Sequence, residues 1–176
     1  MRAFSAYGLS KALSWQTVRF FAQEAGITPR KFVIPNPFGP YEEMRFTSYL
    51  ARTWLAGECP SVNTPSYVRD NVPVSLLALA YAAFVESGRI AEAPAKFNPS
   101  FRPESQRAFA QRVAREMERR WGRPCAITFA ADEVLTEPRV RTNTDPLDAE
   151  FPGWAEAAFW DELAEYYRRS FSRPAA

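Results

Sequence analysis

A long helical pattern that hands over almost at once to a strand limits what this chain can fold into. Ala6 to Ala25 carries Leu9, Leu13, Val18, Phe20 and Phe21 at helical spacing, and Gly26 is a good stop. Arg30–Ile34, RKFVI, follows as a short apolar run of β type. A helix feeding such a strand belongs to an α/β layer fold. The run Pro35-Asn36-Pro37-Phe38-Gly39-Pro40 ends the strand abruptly. In an open parallel sheet, ligands bind just beyond the carboxyl ends of strands, which is where Asn36 falls.

The stretch Ser5–Lys11, SAYGLSK, opens the helix and puts Tyr7 and Lys11 on one helical face. An ammonium beside a phenol favours the phenolate, and such a pair can exchange a proton with a hydroxyl or carbonyl group. Of the 22 Lys and Arg residues, only Lys11, Lys31 and Lys96 are lysine. In a chain so biased to Arg, a lysine here points to a need for a compact ammonium. A solvated helix-face pair is the alternative that the spacing leaves open.

Composition narrows the chemistry further. With His at 0, His-based metal sites and Ser–His or Cys–His hydrolysis are excluded, and acid–base work falls to Tyr, Lys, Asp, Glu or Cys. No metal site is expected. A net charge of +2 gives no sign of a general polyanion binder. Cys59 and Cys125 are the only cysteines, and without a secretory signal they are expected as free thiols in a reducing cytosol. No apolar run is long enough to span a membrane.

The rest of the chain reads in order. Arg45–Ala56 is predicted as an amphipathic helix, with Phe46, Tyr49, Leu50 and Trp54 as core. Val62 to Val68 is extended and broken by Pro65. Arg69-Asp70-Asn71-Val72 leads into Pro73–Ser87, a helix apolar nearly all round and so expected to be buried, with Asn71 as its cap. Arg69 and Asp70 stand where that helix begins, a place to hold a phosphate or to form an ordinary ion pair. Ala93 to Arg102 reads as a linker, extended at Lys96–Asn98. Pro103 starts a helix through Trp121 with a stripe of Phe109, Val113, Met117 and Trp121. Its arginines are mixed with Glu116 and Glu118, which argues for a solvated face and against nucleic acid. Cys125–Ala130 reads as a strand, Asp132 to Pro152 as loop with extended Arg139–Thr142, and Trp154–Phe171 as an amphipathic helix.

Three blocks in this order, SAYGLSK, PNPFGPYE and YVRDNVPVSLLALAYA, resemble the second half of an extended short-chain dehydrogenase/reductase. The resemblance is to the NAD-dependent epimerase/dehydratase group acting on nucleotide sugars, and it is close from Ala3 to Ser87 and looser from Phe97 to Phe171. It implies an α/β fold: the C-terminal part of a Rossmann-type doubly wound fold (residues 1–90) plus a small α/β substrate-binding region (residues 91–176). By the same resemblance, Tyr7 is the catalytic acid/base, and Lys11 favours its phenolate form and holds the nicotinamide ribose. Pro35 lies against the nicotinamide of NAD or NADP. Asn36 and Arg69 hold the diphosphate of the nucleotide-sugar substrate, and Asp70 orients Arg69.

The chain also departs from that pattern. Nothing like G-x-x-G-x-x-G, the turn that cradles a dinucleotide pyrophosphate, occurs in it. The family's Ser or Thr upstream of the tyrosine has no counterpart, since Ser5 and Ser10 stand too close to Tyr7. The expectation is a C-terminal half lacking the dinucleotide-binding half, truncated and inactive alone. Such a half should expose apolar surface near Phe20, Phe21 and Phe32 and leave a strand edge unpaired, to be covered by a partner chain or by a second copy. A non-catalytic nucleotide-sugar-binding or interaction module is the other reading.

Overall fold

In the computed structural model, which describes residues 3–88, 95–133, 137–148 and 151–171, helix α1 spans Ala6–Glu24. Ser5 caps it, its Oγ accepting from the Gly8 N–H at 3.0 Å. At the other end Gly26 turns left-handed at φ 67, so that the Ile27 N–H reaches the Ala22 carbonyl at 2.8 Å and the Gly26 N–H reaches that of Gln23 at 3.1 Å. Such a reversal satisfies carbonyls that a helix end leaves orphaned. No residue of α1 is buried.

Strands β1 (Lys31–Phe32) and β2 (Asn36–Phe38) follow, then α2 (Phe46–Leu55), β3 (Ser61–Val62), β4 (Val68–Pro73) and α3 (Val74–Ser87). After these come β5 (Lys96–Phe97), β6 (Pro99–Ser100), β7 (Arg102–Ser105) and α4 (Gln106–Trp121). The chain continues through β8 (Thr128–Phe129), β9 (Val140–Arg141), β10 (Asp145–Pro146) and α5 (Glu156–Phe171).

Strand β4 organises the sheet. On one edge it pairs antiparallel with β7, from Val68 opposite Ser105 to Asn71 opposite Arg102. Its parallel partners divide the strand between them: β9 pairs at Val68 and Arg69, and β2 pairs from Asn71 to Pro73. β1 pairs parallel with β5, and among the described residues no strand lies along its other edge. The boundary expected between residues 90 and 91 falls outside the described residues, although strands from before and after it pair with each other.

The main core packs α2, α4 and α5 around the end of β2. Phe38 is its hub, with ring centroids 4.9 Å from Phe109, 5.3 Å from Phe159 and 5.5 Å from Trp160. Trp54 is buried with its Nε1 donating to the Ala126 carbonyl at 2.8 Å, so the indole's one polar group is satisfied. Burying side chains of this size stabilises by about 1.5–3 kcal/mol each. A smaller cluster of Val72, Leu76 and Leu77 lies under β4 and α3.

Several sequence expectations need correction. Pro103 lies in β7, and α4 begins only at Gln106, where the Ser105 Oγ accepts from the Ala108 N–H at 3.1 Å. The segment read as a linker forms β5 and β6 where it is described. Asn71 does not cap α3; it is buried in β4, and Pro73 takes the cap position. Helix α3 buries Leu76, Leu77, Ala80 and Phe84 but leaves Tyr81 and Val85 exposed. Phe32 is half-buried against Tyr81, Phe84 and Phe97, while Phe20 and Phe21 are exposed as expected. Arg112, placed by its pattern on the solvated face, is buried.

Candidate functional site

A cavity of about 830 Å³ opens where β9 ends and β2 begins along the edge of β4. The segment from Val33 to Glu43, which includes β2, forms most of its wall; Arg45, Arg69, Asp70, Val74 and the segment Arg141–Asn143 add to it, with Tyr7 reaching it from the first turn of α1. Of the residues singled out in the sequence, Tyr7, Pro35, Asn36, Arg69 and Asp70 all line this cavity. Lys11 does not line it, but its Nζ lies 5.3 Å from the Tyr7 ring centroid, as one-turn spacing on a helix allows. Tyr7 is 72 % exposed.

The wall is fixed by close packing and buried hydrogen bonds. A Cβ on Gly39 would stand 2.3 Å from Val74 Cγ1, so only glycine lets the loop lie against the start of α3. Asn36 stands opposite Asn71 in the β2–β4 pairing, and its Nδ2 donates to Asn71 Oδ1 at 2.7 Å. Asp70 is buried; its carboxylate accepts from the Phe101 N–H at 2.8 Å and the Asn143 N–H at 3.2 Å. Asp70 therefore ties β4 to two loops, whereas the pattern had it orienting Arg69.

The Arg69 guanidinium has other partners. Its Nη1 donates to the Val68 carbonyl at 2.8 Å and the Arg139 carbonyl at 3.0 Å, and its Nη2 pairs with Glu137 Oε1 at 3.0 Å. Asn143 Nδ2 donates to the carbonyls of Val33 at 2.8 Å and Pro99 at 3.0 Å, binding the wall across the chain.

Below the loop, Glu42 Oε1 accepts from the Ser48 N–H at 2.8 Å, the Tyr167 hydroxyl at 2.7 Å and the Thr47 hydroxyl. A carboxylate at the N-terminus of α2 is favourably placed against the helix dipole. Burial, and then the charge of Glu42, push the Tyr167 phenol far above its ordinary range, so it stays a hydrogen-bond donor. Tyr41 bridges this loop and α5: its backbone is left-handed at φ 65, and its ring lies 4.8 Å from Tyr166.

Glu42, Glu137, Arg141 and Asn143 were not singled out in the sequence. Arg139–Thr142 reads there only as extended, and nothing local shows that it lies beside β4. Among the described residues no group of three or more His, Cys, Asp and Glu is arranged to hold a metal ion, and no helix is long and apolar enough to cross a membrane.

The mixed α/β fold with parallel pairing is that of about half of a Rossmann-type nucleotide-sugar epimerase, as the sequence resemblance leads one to expect. Three solved structures illustrate the likeness. UDP-glucose 4-epimerase from Thermus thermophilus, in complex with NAD, is 17 % identical at a TM-score of 0.70, over 95 % of this chain and 55 % of that one. UDP-N-acetylglucosamine 4-epimerase from Methanobrevibacter ruminantium, in complex with UDP-N-acetylmuramic acid, is 16 % identical at 0.69, over 96 % and 54 %. The dTDP-glucose 4,6-dehydratase from Streptomyces venezuelae, with NAD bound, is 16 % identical at 0.64, over 94 % and 52 %. The chain thus spans about half the length of the structures it matches. No protein-family model matches the sequence, and no curated protein does.

Proposed function

We propose that this chain forms the proton-transfer and sugar-diphosphate side of an NAD(P)-dependent epimerase, dehydratase or reductase site for a nucleotide sugar. One observation carries the reading: Tyr7, Pro35, Asn36 and Arg69 line a single cavity, with Lys11 one helical turn from Tyr7. Four residues named from three separate blocks of sequence would converge in this way if they shared one ligand. The solved epimerases and dehydratase that share the fold support the same class.

In this reading Tyr7 takes a proton from a sugar hydroxyl or returns one to a carbonyl. Lys11 supplies the positive charge beside the phenol and a donor for a ribose hydroxyl. Asn36 and Arg69 hold the diphosphate, the arginine through charge-assisted bonds. Pro35 offers an apolar wall for a nicotinamide ring. When bound, the dinucleotide supplies the hydride acceptor or donor. The residues present fit its nicotinamide-ribose end. No G-x-x-G-x-x-G stands in the 176 residues to cradle its pyrophosphate, so turnover requires such a loop from outside them.

A second reading, a nucleotide-sugar-binding module without catalysis, is favoured by one contrast. Asn36 and Arg69 are fixed by hydrogen bonds at the edge of the core, while Tyr7 and Lys11 ride on a helix with no buried residue. Calorimetry with UDP-glucose separates the two. Both readings expect binding that Arg69→Ala weakens at least tenfold. The catalytic reading further expects conversion of the nucleotide sugar once a dinucleotide-binding half and NAD(P) are added in trans, lost in Tyr7→Phe. Binding with no activity in trans favours the module. Reduction of NAD by the 176 residues alone would overturn the division of labour, and absence of UDP-glucose binding would overturn both.

A further inference from the structure

Among the described residues, Tyr41 is the one residue other than glycine with a left-handed backbone, at φ 65. A side chain in that region crowds its own backbone, and glycine or asparagine is the usual occupant. A large ring held there marks a place where the surroundings over-determine the chain. Here they do so from both sides. Before it, Gly39 lies so close to α3 that an added Cβ would meet Val74 Cγ1 at 2.3 Å. After it, the Glu42 carboxylate accepts from the Ser48 N–H at 2.8 Å, the Tyr167 hydroxyl at 2.7 Å and the Thr47 hydroxyl. Successive residues of α5 thus hold successive residues of the wall. Tyr167 takes Glu42, and Tyr166 meets the Tyr41 ring at 4.8 Å between centroids, tilted by 57°.

Core packing does not account for that ring. Tyr41 is 84 % exposed, more than any other large apolar or aromatic side chain described, so burial offsets little of the backbone strain. It lines the cavity, and so do Glu43 and Arg45, both exposed. An aromatic face fixed at a cavity wall, with an acceptor and a donor near it in the chain, suits a planar ring that carries polar edges. Its place along the wall indicates which part of a ligand that ring is. Asn36 opens β2, which advances about 3.3 Å per residue, and Tyr41 stands beyond the far end of the strand, braced by α5 and not by α1. With the sugar at Tyr7 and the diphosphate at Asn36 and Arg69, what remains of a nucleotide sugar on that side is its base.

We propose that Tyr41 is a stacking platform for the base of a nucleotide, held ready in a strained backbone by Tyr166 and by the anchored Glu42. The inference rests on the reading of Asn36 and Arg69 as diphosphate ligands. It adds the residue that tells a nucleotide from a bare diphosphate.

The test is calorimetric titration of the 176-residue chain with UDP-glucose, UDP and inorganic pyrophosphate. Tyr41→Phe keeps the ring, Tyr41→Leu keeps bulk without an aromatic face, and both keep the strain. Tyr41→Phe is expected to bind UDP and UDP-glucose within about twofold of wild type, and Tyr41→Leu to bind both about tenfold more weakly, with pyrophosphate unchanged in either. Wild-type affinity for UDP in Tyr41→Leu overturns the platform. A loss confined to UDP-glucose would put the ring on the sugar, and an equal loss for pyrophosphate would make the effect structural; either overturns the assignment to the base. Tyr41→Gly is expected to leave the urea unfolding midpoint unchanged or raised, because glycine relieves the left-handed strain. A fall in that midpoint overturns the premise of strain. If UDP binding follows the ring while UDP-glucose does not bind, the platform stands and the nucleotide-sugar reading falls. If UDP-glucose binding is lost in Arg69→Ala yet indifferent to Tyr41→Leu, the nucleotide-sugar reading stands and this inference falls. Binding of neither UDP nor UDP-glucose overturns both.

Discussion

Arg112 sits in the main core among aromatic rings, its guanidinium carbon 5.2 Å from the centroid of Phe109 and 5.5 Å from that of Trp160. Glu104 meets it through both oxygens, with Nε to Oε2 at 3.3 Å and a close contact from Nη2 to Oε1. Its Nη1 has no hydrogen-bond acceptor among the described residues, and Glu156 Oε1 stands 3.9 Å away. Removing one partner of a buried ion pair strands the other, at about 3–5 kcal/mol. Arg112→Ala should therefore lower the urea unfolding midpoint sharply, and Arg112→Met combined with Glu104→Gln should recover most of the loss. Cys125 makes a second case at this scale. Burial first, then Glu118, push its thiol from an ordinary 9.0 up to about 11, with Arg123 opposing. The folded thiol keeps its proton where the unfolded one loses it, so its contribution is complete below pH 9.0 and fades as pH rises towards about 11. Cys125→Ala should flatten that alkaline fall in unfolding free energy. The Tyr7–Lys11 pair was legible in the sequence because spacing of one turn is local. Buried Arg112 was not, since its helix is rich in arginine all round and only the tertiary partner Glu104 distinguishes it.

Among the elements, helices were legible and strands much less so. The ends of α1 and α2 follow, within a residue, from apolar spacing and from stops at Gly26 and Gly57, and apolar spacing also finds α5, which begins at Glu156 and not at Trp154. Many strands have only two residues, too few for alternation to register, and their existence depends on a partner far along the chain. Helix α1 is the exception to the packing of the rest. Phe20 and Phe21 are 58 % and 64 % exposed and stack edge to face on each other at 5.4 Å, with Leu9 and Leu13 also open to solvent. An apolar face of this kind drives association. Phe20→Ser with Phe21→Ser should reduce dye binding and concentration-dependent mass in light scattering, and leave the core's unfolding free energy within about 0.5 kcal/mol of wild type. A monodisperse wild-type monomer that binds no dye would contradict this.

Across the whole molecule, the fold class and half the cavity could be read from motifs in chain order, although PNPFGP, read as the end of a strand, itself carries β2, and VRDN opens β4. The other half could not, because Arg141, Thr142 and Asn143 reach the cavity only through pairing of β9 with β4. That division has an energetic counterpart. Asn36 and Asn71 belong to strands that end in the two buried clusters, at Phe38 and at Val72, and they can separate only if the core itself unfolds. Strand β9 has Val140 60 % exposed and is joined to β4 over two positions, with the Val68 N–H donating to the Arg139 carbonyl at 2.8 Å. Such a segment belongs to the low end of the local-opening spectrum. The cavity is thus hung between a part that opens with the entire domain and a part that can open alone. Its lifetime in the assembled form is set by the weaker attachment, and a ligand spanning both would slow the exchange of the β9 amides before it altered any other part of the chain.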